Sequence, residues 1–455
     1  MFLIDRELDI PAVKANISLL KYFREEVEKN IEADEIPVRF AVTQSNSNIN
    51  KCELGILKGA SSLYGHRLSS IFDFTPREIE NTKNFNAVMI VPTGIGAEIG
   101  GHAGDATPSA RLLASVCDTL ITHPNVVNAS DINELPANGL YVEGNNLAQL
   151  LMGTIGLQQV RSNRIILVID KHPDSKISEF SINAASAARS TLGIDCPQVI
   201  EMDPPILMRS DYSASGTAVG RIEGLERLCE VLHTHRAEYD AIALTSIIDI
   251  SKELIMDYFQ SSGDKVNPWG GVEAMLTHAI TMLFGVPAAH SPMMESTDVL
   301  DMQLGVVDPR MSAEAISTSF LHCILKGLHQ SPRIITDRLL FTHPSVMTAA
   351  DISCIVIPDG CIGLPTLAAL EQGIPVIAVK ENKSRMKNDL KALPFRPGKL
   401  FFAENYLEAV GIMASIKAGV SITSVRRPLS QTKVFTENRD KDIANPEIAK
   451  IKLKA

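Results

Sequence analysis

The sequence contains no long apolar stretch. Its 455 residues include no run of eighteen apolar residues, so no transmembrane helix is expected. The first residues, MFLIDRELDIPAVK, carry an acidic side chain by position 5 and lack the apolar centre of a secretory signal. We therefore expect a cytoplasmic protein with no membrane partner.

An excess of basic residues is also missing. The 43 Lys and Arg are outnumbered by 53 Asp and Glu, which gives a formal net charge of −10. Nucleic acids require a basic footprint, so we expect no nucleic-acid partner. The seven cysteines are odd in number, scattered and without a Cys-x-x-Cys pair, which argues against a disulfide framework or a zinc ribbon.

Several familiar catalytic signatures are absent as well. The chain has neither a Gly-x-Ser-x-Gly elbow nor a His-Glu-x-x-His zinc motif. Its glycine-rich segment matches neither the phosphate loop, which needs Gly-Lys-Ser/Thr, nor the dinucleotide fingerprint. No reaction can be assigned from a signature alone.

What the sequence does contain is an alternation of short apolar runs and amphipathic helices. The runs at 87–91, 164–169 and 353–357 have the length and composition of buried strands. This alternation predicts an α/β fold with mostly parallel sheets and flanking helices. A repeated Thr-His-Pro-x-Val segment, at 122–126 and 342–346, is either chance or a hint of two related halves. On the second interpretation, we expect two Rossmann-like lobes around a cleft.

Changes in pattern divide the chain into four parts. Residues 1–85 are predicted as an N-terminal α+β segment, 86–335 as the main α/β domain and 336–425 as a C-terminal α/β unit. Residues 426–455 are polar, charged and rich in Lys at the end, which is typical of a tail. A homodimer is the expected assembly, because it is the commonest one.

The segment VPTGIGAEIGGHAGDA, at 91–106, follows a predicted strand. Its glycines allow positive φ and let a ligand approach the backbone N–H groups, which suits an anion. A helix that begins near residue 108 would point its N-terminus at the same place. A structural turn without a ligand is the alternative. The predicted substrate-binding residues here are Thr93, Gly94, Gly96, Gly100 and Gly104, and Asp105 is a catalytic candidate.

The segment THPNVVN begins directly after another short strand. Its His123 suits acid–base catalysis, because histidine titrates near neutrality. Asn125 and Asn128 are predicted to orient the substrate through their amides. A histidine that only closes the turn before Pro124 is the alternative. Glu143, at the end of a further strand, is a candidate acid, base or metal ligand.

The segment from 267 to 292 adds three ionisable candidates. Glu273, a predicted catalytic residue, lies in the first turn of a probable helix, and His278 follows five residues later. Five residues rotate an ideal helix by about 140°, so these two side chains do not share a narrow face. A divalent-metal site would therefore require side chains from different elements to come together in the fold. The alternative is that Glu273 is a charge at the N-terminus of the helix and that the histidines lie in the core or on the surface. The predicted metal ligands are His123, Glu143, His278 and His290.

The small and hydroxylated residues at 213–220 suit either a phosphate nest or a flexible loop. Arg189 lies in the preceding part of the chain and is a predicted substrate-binding residue, because its guanidinium can hold a carboxylate through two hydrogen bonds. An exposed salt bridge is the more common role of an arginine.

The segment IVIPDGCIGLPTLAALEQGIPVIAV, at 355–379, is predicted as strand, turn, helix and strand. It resembles the distal half of nucleotide-sugar transferases of the two-domain GT-B type, in which a Gly-rich turn and a helix Glu hold the nucleotide. The resemblance implies that Gly360, Gly363, Thr366 and Glu371 would take those places. Any strand–turn–helix–strand unit can produce the same pattern.

The chain also carries, in this order, the motifs PTGIGAEIGGHAGDA, ITHPNVVN, YVEGNN, GVEAMLTH and PAAHSP, followed by VDPRMSAEAIS. Together they resemble an uncharacterised family, a domain of unknown function found in cyanobacteria, plants and some other bacteria. The resemblance covers roughly residues 70–335 and implies a common fold, but no activity.

These observations favour an enzyme that acts on a small anionic metabolite bearing a carboxylate or phosphate, as a lyase, isomerase or transferase. Its site would lie between the glycine segment, the THPNVVN loop and the region from 273 to 290. Three alternatives remain: a GT-B-like transferase, a metal-dependent hydrolase or lyase, and a metabolite sensor without catalysis. The cofactor is unknown, and a divalent metal is the candidate.

Overall fold

The structure is a computed structural model that describes residues 1–13, 17–60, 68–296 and 304–435. The chain divides into two compact units, residues 1–414 and residues 415–455. Among the described residues, no helix is both long enough and apolar enough to cross a bilayer. The sheets and the candidate site belong to the first unit.

The first half of the chain contains most of the strands. Its elements in chain order are β1 Phe2–Pro11, α1 Leu19–Lys29, β2 Glu35–Ser45, β3 Ile49–Lys58, β4 Asn86–Met89, α2 Thr107–Ala114, β5 Thr119–Thr122, α3 Pro124–Val127, β6 Asn128–Ala129, β7 Ile132–Asn133, β8 Gly139–Tyr141, α4 Gly144–Leu151, β9 Gly156–Gln158, β10 Ile165–Asp170, α5 Ser175–Leu192, β11 Val199–Met202, β12 Leu207–Tyr212 and β13 Ala218–Glu223.

The second half continues the alternation. Its elements are α6 Leu225–Thr234, β14 Ala241–Asp249, α7 Lys252–Gln260, α8 Gly270–Phe284, β15 Ala288–Met293, α9 Ser312–Ala315, α10 His322–His329, β16 Arg333–Ile335, β17 Val346–Met347, β18 Ile352–Pro358, β19 Ile362–Gly363, α11 Leu364–Gln372, β20 Val376–Val379, β21 Leu400–Ala403, α12 Tyr406–Lys417 and α13 Ile422–Val425.

Six short strands form a fully parallel sheet in the order β21-β20-β18-β4-β5-β8. The strands β4, β18 and β20 are buried along their whole length, as expected for apolar strands covered on both faces. Numbered in chain order within the sheet, the strands read 6-5-4-1-2-3. This is the order of doubly wound α/β sheets, whose ligands bind at the carboxyl ends of the strands.

The second sheet is mixed, with the order β11-β10-β14-β12-β13-β1-β3-β2-β19, and β15 pairs with β14 outside this path. The strands β11, β10, β14 and β15 are parallel, whereas the pairings from β12 through β13, β1, β3 and β2 to β19 are antiparallel. The α/β prediction is confirmed. The prediction of mostly parallel sheets describes the six-stranded sheet, but not this one. Two of its antiparallel pairs, β2 with β3 and β12 with β13, are consecutive strands joined by short turns, a connection that imposes antiparallel pairing.

The helix α8 packs on β13 and β15 of the mixed sheet and on α4 beside the parallel sheet. One face of the helix contributes to an apolar core on this sheet, through Met275, Leu276, Ala279 and Ile280. Burial of that face directs Glu273 and His278 away from the core and toward a cavity. The position of the helix therefore follows from its apolar stripe.

Strands from the different predicted segments pair with one another. β1, from the segment 1–85, pairs with β13, and β4 pairs with β18, from the segment 336–425. Each sheet therefore contains strands from both sides of a predicted boundary, at 85 or at 335. The division into four parts stays a prediction. Of the predicted tail, residues 426–435 are exposed and form no helix or strand, and the rest lies outside the described residues.

Candidate active site

A cavity of about 800 Å³ lies at the carboxyl ends of β4, β5 and β8. Residues of α8 and β15 also line it. It brings together the three segments that the sequence analysis singled out, at the edge of the parallel sheet where ligands of such folds bind. The predicted site residues that line it are Thr93, Gly94, His123, Asn125, Asn128, Glu143, Glu273, His278 and His290.

Glu143 and His278 form the first carboxylate–histidine pair. Glu143 is buried at the N-cap of α4, and its Oε1 lies 2.5 Å from Nδ1 of His278. Burial raises the pKa of Glu143, but the charge and hydrogen bond of His278 and two backbone N–H groups outweigh it, so the pKa lies below its ordinary value. Glu143 is therefore a carboxylate. Its other donors are the N–H groups of Asn145 and Asn146 and the hydroxyls of Thr277 and Thr281.

Glu273 and His290 form the second pair. Oε1 of Glu273 lies 2.9 Å from Nδ1 of His290, a residue of β15. The side chain of His290 has no exposed surface, and its Nε2 has no hydrogen-bond partner among the described residues. Glu273 keeps 19% of its side-chain surface exposed, and this surface lies in the cavity. In this pair the carboxylate, rather than the imidazole, is the accessible group.

His123 is a third imidazole in the wall of the cavity. Its Nε2 accepts a hydrogen bond of 3.0 Å from the N–H of Val91, so in the neutral ring the proton resides on Nδ1. Burial lowers its pKa to about 4; the nearby Glu143 opposes this shift and His278 adds to it. His123 is therefore neutral near pH 7 and can offer one fixed N–H.

A buried acid that the sequence analysis missed, Glu314, also lines the cavity. It accepts hydrogen bonds from the N–H of Ala103, the amide of Asn267 and the hydroxyl of Tyr258. Burial raises its pKa to about 7 against these donors. The same hydroxyl lies 2.7 Å from Nδ1 of His102. The one signal that pointed to Glu314 was its place in the motif VDPRMSAEAIS.

The glycine segment makes the turns predicted for it, since Gly94, Gly96, Gly100 and Gly104 all have positive φ. Its N–H groups, however, bind side chains of this chain. The N–H of Gly100 donates to Asp105, and that of Ala103 to Glu314. These two donors are therefore not available to an anion, and the anion cradle stays a prediction.

Asp105 and three of the glycines do not line this cavity. Asp105 accepts from the N–H of Gly100, and burial raises its pKa to about 7. Gly96 instead borders a smaller cavity of about 220 Å³, next to the side chains of Lys265, Lys383 and Arg385. Gly100 and Gly104 border neither of the two.

The two predicted asparagines line the cavity, but their amide N–H groups donate hydrogen bonds to other atoms of the protein. Asn125 donates to the carbonyl groups of Val91 and Gly100, and Asn128 donates to the hydroxyl of Tyr141. Arg189 lies exposed in the last turn of α5, away from the lining of the cavity. The structure therefore does not bring Arg189 to this cavity, and its role in substrate binding stays a prediction.

The metal interpretation required three of the predicted ligands to converge. Among residues 1–13, 17–60, 68–296 and 304–435, no three His, Cys, Asp or Glu side chains come together in a group that could hold a metal ion. The carboxylates of Glu143 and Glu273 are instead each paired with one histidine. That interpretation therefore lacks its ligand set in the described part of the chain.

The GT-B interpretation required the turn and helix at 360–371 to face the same cavity. Gly363 instead pairs with Ala41 of β2, and the hydroxyl of Thr366 donates to the carbonyl of Cys361. Gly360 and Glu371, like these two, are not part of the cavity lining. Nothing in this geometry favours a nucleotide-sugar site at that segment.

Residues 86–426 match the family model described as protein of unknown function, DUF3326. The predicted resemblance to an uncharacterised family is confirmed, and the match reaches further toward the C-terminus than the predicted 70–335. An uncharacterized lipoprotein of Synechococcus is 34% identical over 342 residues, which are 74% of this chain and 92% of that protein. No solved structure matches the chain.

The comparison corrects one expectation. The sequence analysis predicted a cytoplasmic protein, but the cyanobacterial relative bears the name of a lipoprotein. This name contradicts the prediction, which rested on the lack of a signal-like apolar centre in the first residues and of a long apolar run in the chain. The cytoplasmic location is therefore withdrawn.

Proposed function

This chain belongs to the family of proteins of unknown function DUF3326, and because that name carries no activity, we propose a function from the cavity. The protein is an acid–base enzyme, an isomerase or lyase, that moves protons on a small metabolite bound in the cavity. The observation that carries the proposal is that two Glu–His pairs line one cavity and present opposite members to it.

His278 is the imidazole that acts on the substrate. Its Nδ1 is held by the buried carboxylate of Glu143, so the neutral ring carries its proton there and leaves Nε2 as a base. The side chain of His278 is 17% exposed, whereas that of Glu143 is 3% exposed. This division into an accessible imidazole and a buried orienting carboxylate is a common arrangement in general-base catalysis.

Glu273 is the carboxyl group that acts as the second acid or base. One of its oxygens pairs with Nδ1 of His290, whose side chain has no exposed surface. On an ideal helix, positions 273 and 278 are separated by about 140° of rotation and about 7.5 Å along the axis. Two groups at that separation suit proton removal at one atom of a substrate and proton delivery at another.

His123 supports the same chemistry as an orienting donor. Its ring is neutral because burial lowers its pKa to about 4, and its tautomer is fixed by the N–H of Val91. A neutral N–H donor can polarise a carbonyl or hydroxyl oxygen without transferring its own proton. We therefore assign it to substrate binding rather than to proton transfer.

We also propose that the two sheets act as two Rossmann-like lobes around the cavity. The order 6-5-4-1-2-3 of the parallel sheet supports this, as does the order 2-1-3-4 of β11-β10-β14-β15, which matches the beginning of flavodoxin-like sheets. Residues at the ends of strands in both sheets line the cavity, including His123 after β5 and Met293 at the end of β15.

Exchange of carbon-bound hydrogen with solvent tests the proposal. The protein is incubated in D₂O with pools of small metabolites, sorted by head group, and deuterium gain is followed by mass spectrometry. For a pool that exchanges, His278→Asn and Glu273→Gln should each lower the rate at least 100-fold, in line with the usual contribution of a general acid or base.

Two exposed positions provide matched controls. His343→Asn and Glu179→Gln make the same chemical changes on the surface and should leave the exchange rate unchanged. Wild-type rates in His278→Asn and Glu273→Gln would assign the chemistry to other residues. Ligand binding without exchange or turnover in any pool would favour the metabolite sensor instead.

A further inference from the structure

The charged residues of the cavity are acidic or imidazole groups. Among the described residues that line it, there are four glutamates and three histidines, but no Lys and no Arg. The glutamates are Glu143, Glu273, Glu295 and Glu314. An anionic substrate would therefore meet carboxylates without a fixed positive charge to offset them, which is unfavourable in a partly buried site.

Backbone N–H groups at two helix N-termini beside the cavity are already occupied. The first N–H groups of α4, at Asn145 and Asn146, bind Glu143, and those at the start of α8, at Trp269 and Gly270, bind the amide oxygen of Asn267. At each of these two helix N-termini, two N–H groups are thus taken by this chain's own side chains rather than left for an anion.

Three polar side-chain atoms of the wall, in contrast, lack partners. Nε2 of His290 and the hydroxyl oxygens of Ser130 and Ser291 have no hydrogen-bond partner among the described residues, and all three residues line the cavity. Each residue is at least nine-tenths buried, so water from the bulk does not readily satisfy it. Buried polar atoms without partners are rare in folded proteins and commonly mark a place where a ligand binds.

The rest of the wall is largely apolar. Ile255 and Phe259 of α7 line one side together with Trp269, whose ring lies 5.5 Å from that of Tyr258. An indole ring binds both apolar groups and, over its face, organic cations. A volume of about 800 Å³ is in the range of sites for ligands of metabolite or drug size.

From this distribution we infer that the substrate carries an amine on an apolar body, with the ammonium group beside Glu273 and the body against Trp269 and α7. An ammonium group offers three donors and no acceptor, which complements the accessible carboxylate of Glu273 and the unpartnered Nε2 of His290. The inference rests on the proposed function and names its substrate class. It replaces the anionic substrate expected from the sequence.

Three ligands with one body and different head groups test this inference. The full-length protein is titrated by calorimetry at pH 7 with 3-phenylpropylamine, 3-phenylpropan-1-ol and 3-phenylpropanoate. The amine should bind at least tenfold more tightly than the propanoate, with the alcohol in between. Glu273→Gln should reduce the preference to less than threefold, while the surface variant Glu179→Gln should keep it, although both remove one negative charge.

Glu314→Gln provides a second variant if Glu273→Gln fails to fold, and it should also weaken the preference for the amine. Equal affinities, tighter binding of the propanoate, no binding of the amine at 10 mM, or a preference unchanged in both variants would each overturn the inference. Its failure is distinct from that of the proposed function. Exchange seen only with carboxylates would contradict the amine substrate and support the proposed catalysis. Amine binding without exchange or turnover in any pool would support the amine as ligand and contradict the proposed catalysis.

Discussion

The two Glu–His pairs of the cavity are chemically identical but inverted in space. In the first, the carboxylate of Glu143 is buried and the imidazole of His278 is accessible; in the second, His290 is buried and Glu273 is accessible. The difference arises from where each glutamate lies on its helix. Glu143 caps α4 and accepts from five donors, whereas Glu273 lies within the first turn of α8, where its one observed partner in the described chain is His290.

This inversion indicates that packing, rather than residue type, decides which partner of each pair is accessible from the cavity. A carboxylate with five donors has no free electron pair directed at the cavity and serves to hold its histidine. A carboxylate with a single partner retains an oxygen for a ligand. Glu143 and Glu273 should therefore differ in their contribution to stability and in the reactivity of their histidine partners.

The largest expected effect concerns stability. Glu143→Gln replaces one of the two oxygens by an NH₂ group that faces donors, so we expect a loss of about 3 kcal/mol in the free energy of unfolding. Glu273→Gln should cost about 1 kcal/mol, because one partner is affected and the site is partly open. Urea unfolding of both variants measures the two losses. Equal losses would show that the pairs are equivalent.

The next effect is a dependence of stability on pH through Glu314, the acid beside Glu273. Burial raises its pKa to about 7 in the folded state, so its contribution to stability is present in full below the unfolded value near 4.5 and is lost as the pH rises through 7. Between pH 5.5 and 8 this amounts to about 2 kcal/mol. Glu314→Gln should remove that part of the pH dependence.

Unfolding curves at the two pH values, for wild type and Glu314→Gln, provide the measurement. Asp105, whose pKa burial also raises to about 7, contributes in the same direction and remains in both proteins, so only the difference between them is assigned to Glu314. An identical pH dependence in both would contradict the prediction.

The smallest expected effect is a difference in chemical reactivity. Diethyl pyrocarbonate acylates accessible neutral imidazoles, so His278, with 17% of its side chain exposed, should react at least tenfold faster than His290, with none. Peptide mass spectrometry after brief treatment of the folded protein resolves the two sites. Comparable modification of both would mean that His290 is also accessible and that the inversion does not hold.

The sequence predicted the α/β alternation because it depends on local composition. Short apolar runs bounded by helices identified β4, β5, β10 and β18, all of which lie in parallel pairings. The strand β3 was not recognised, because Glu53 and Gly55 interrupt its apolar pattern. In the structure, Glu53 is buried where it accepts from the hydroxyls of Ser213 and Thr217, partners far away in the chain.

The candidate site was predicted in part for the same reason. Polar residues directly after strands, such as His123 and Glu143, are visible in a sequence, and helical spacing correctly separated Glu273 from His278. Which glutamate pairs with which histidine was not predictable, because the partners come from different elements. In the glycine segment, positive φ can be inferred from glycine, but the hydrogen bonds from the N–H groups of Gly100 and Ala103 to Asp105 and Glu314 cannot.

The order of the parallel sheet also has a consequence for synthesis of the chain. β4 lies between β5 and β18, yet β18, β20 and β21 are translated only after every residue identified in the cavity wall. While the chain is still on the ribosome, one edge of β4 has no neighbour, and an unpaired strand edge promotes association with other chains. The loops that carry Thr93 and His123 therefore gain their final support late, and synthesis of β18, β20 and β21 should precede any binding at this site.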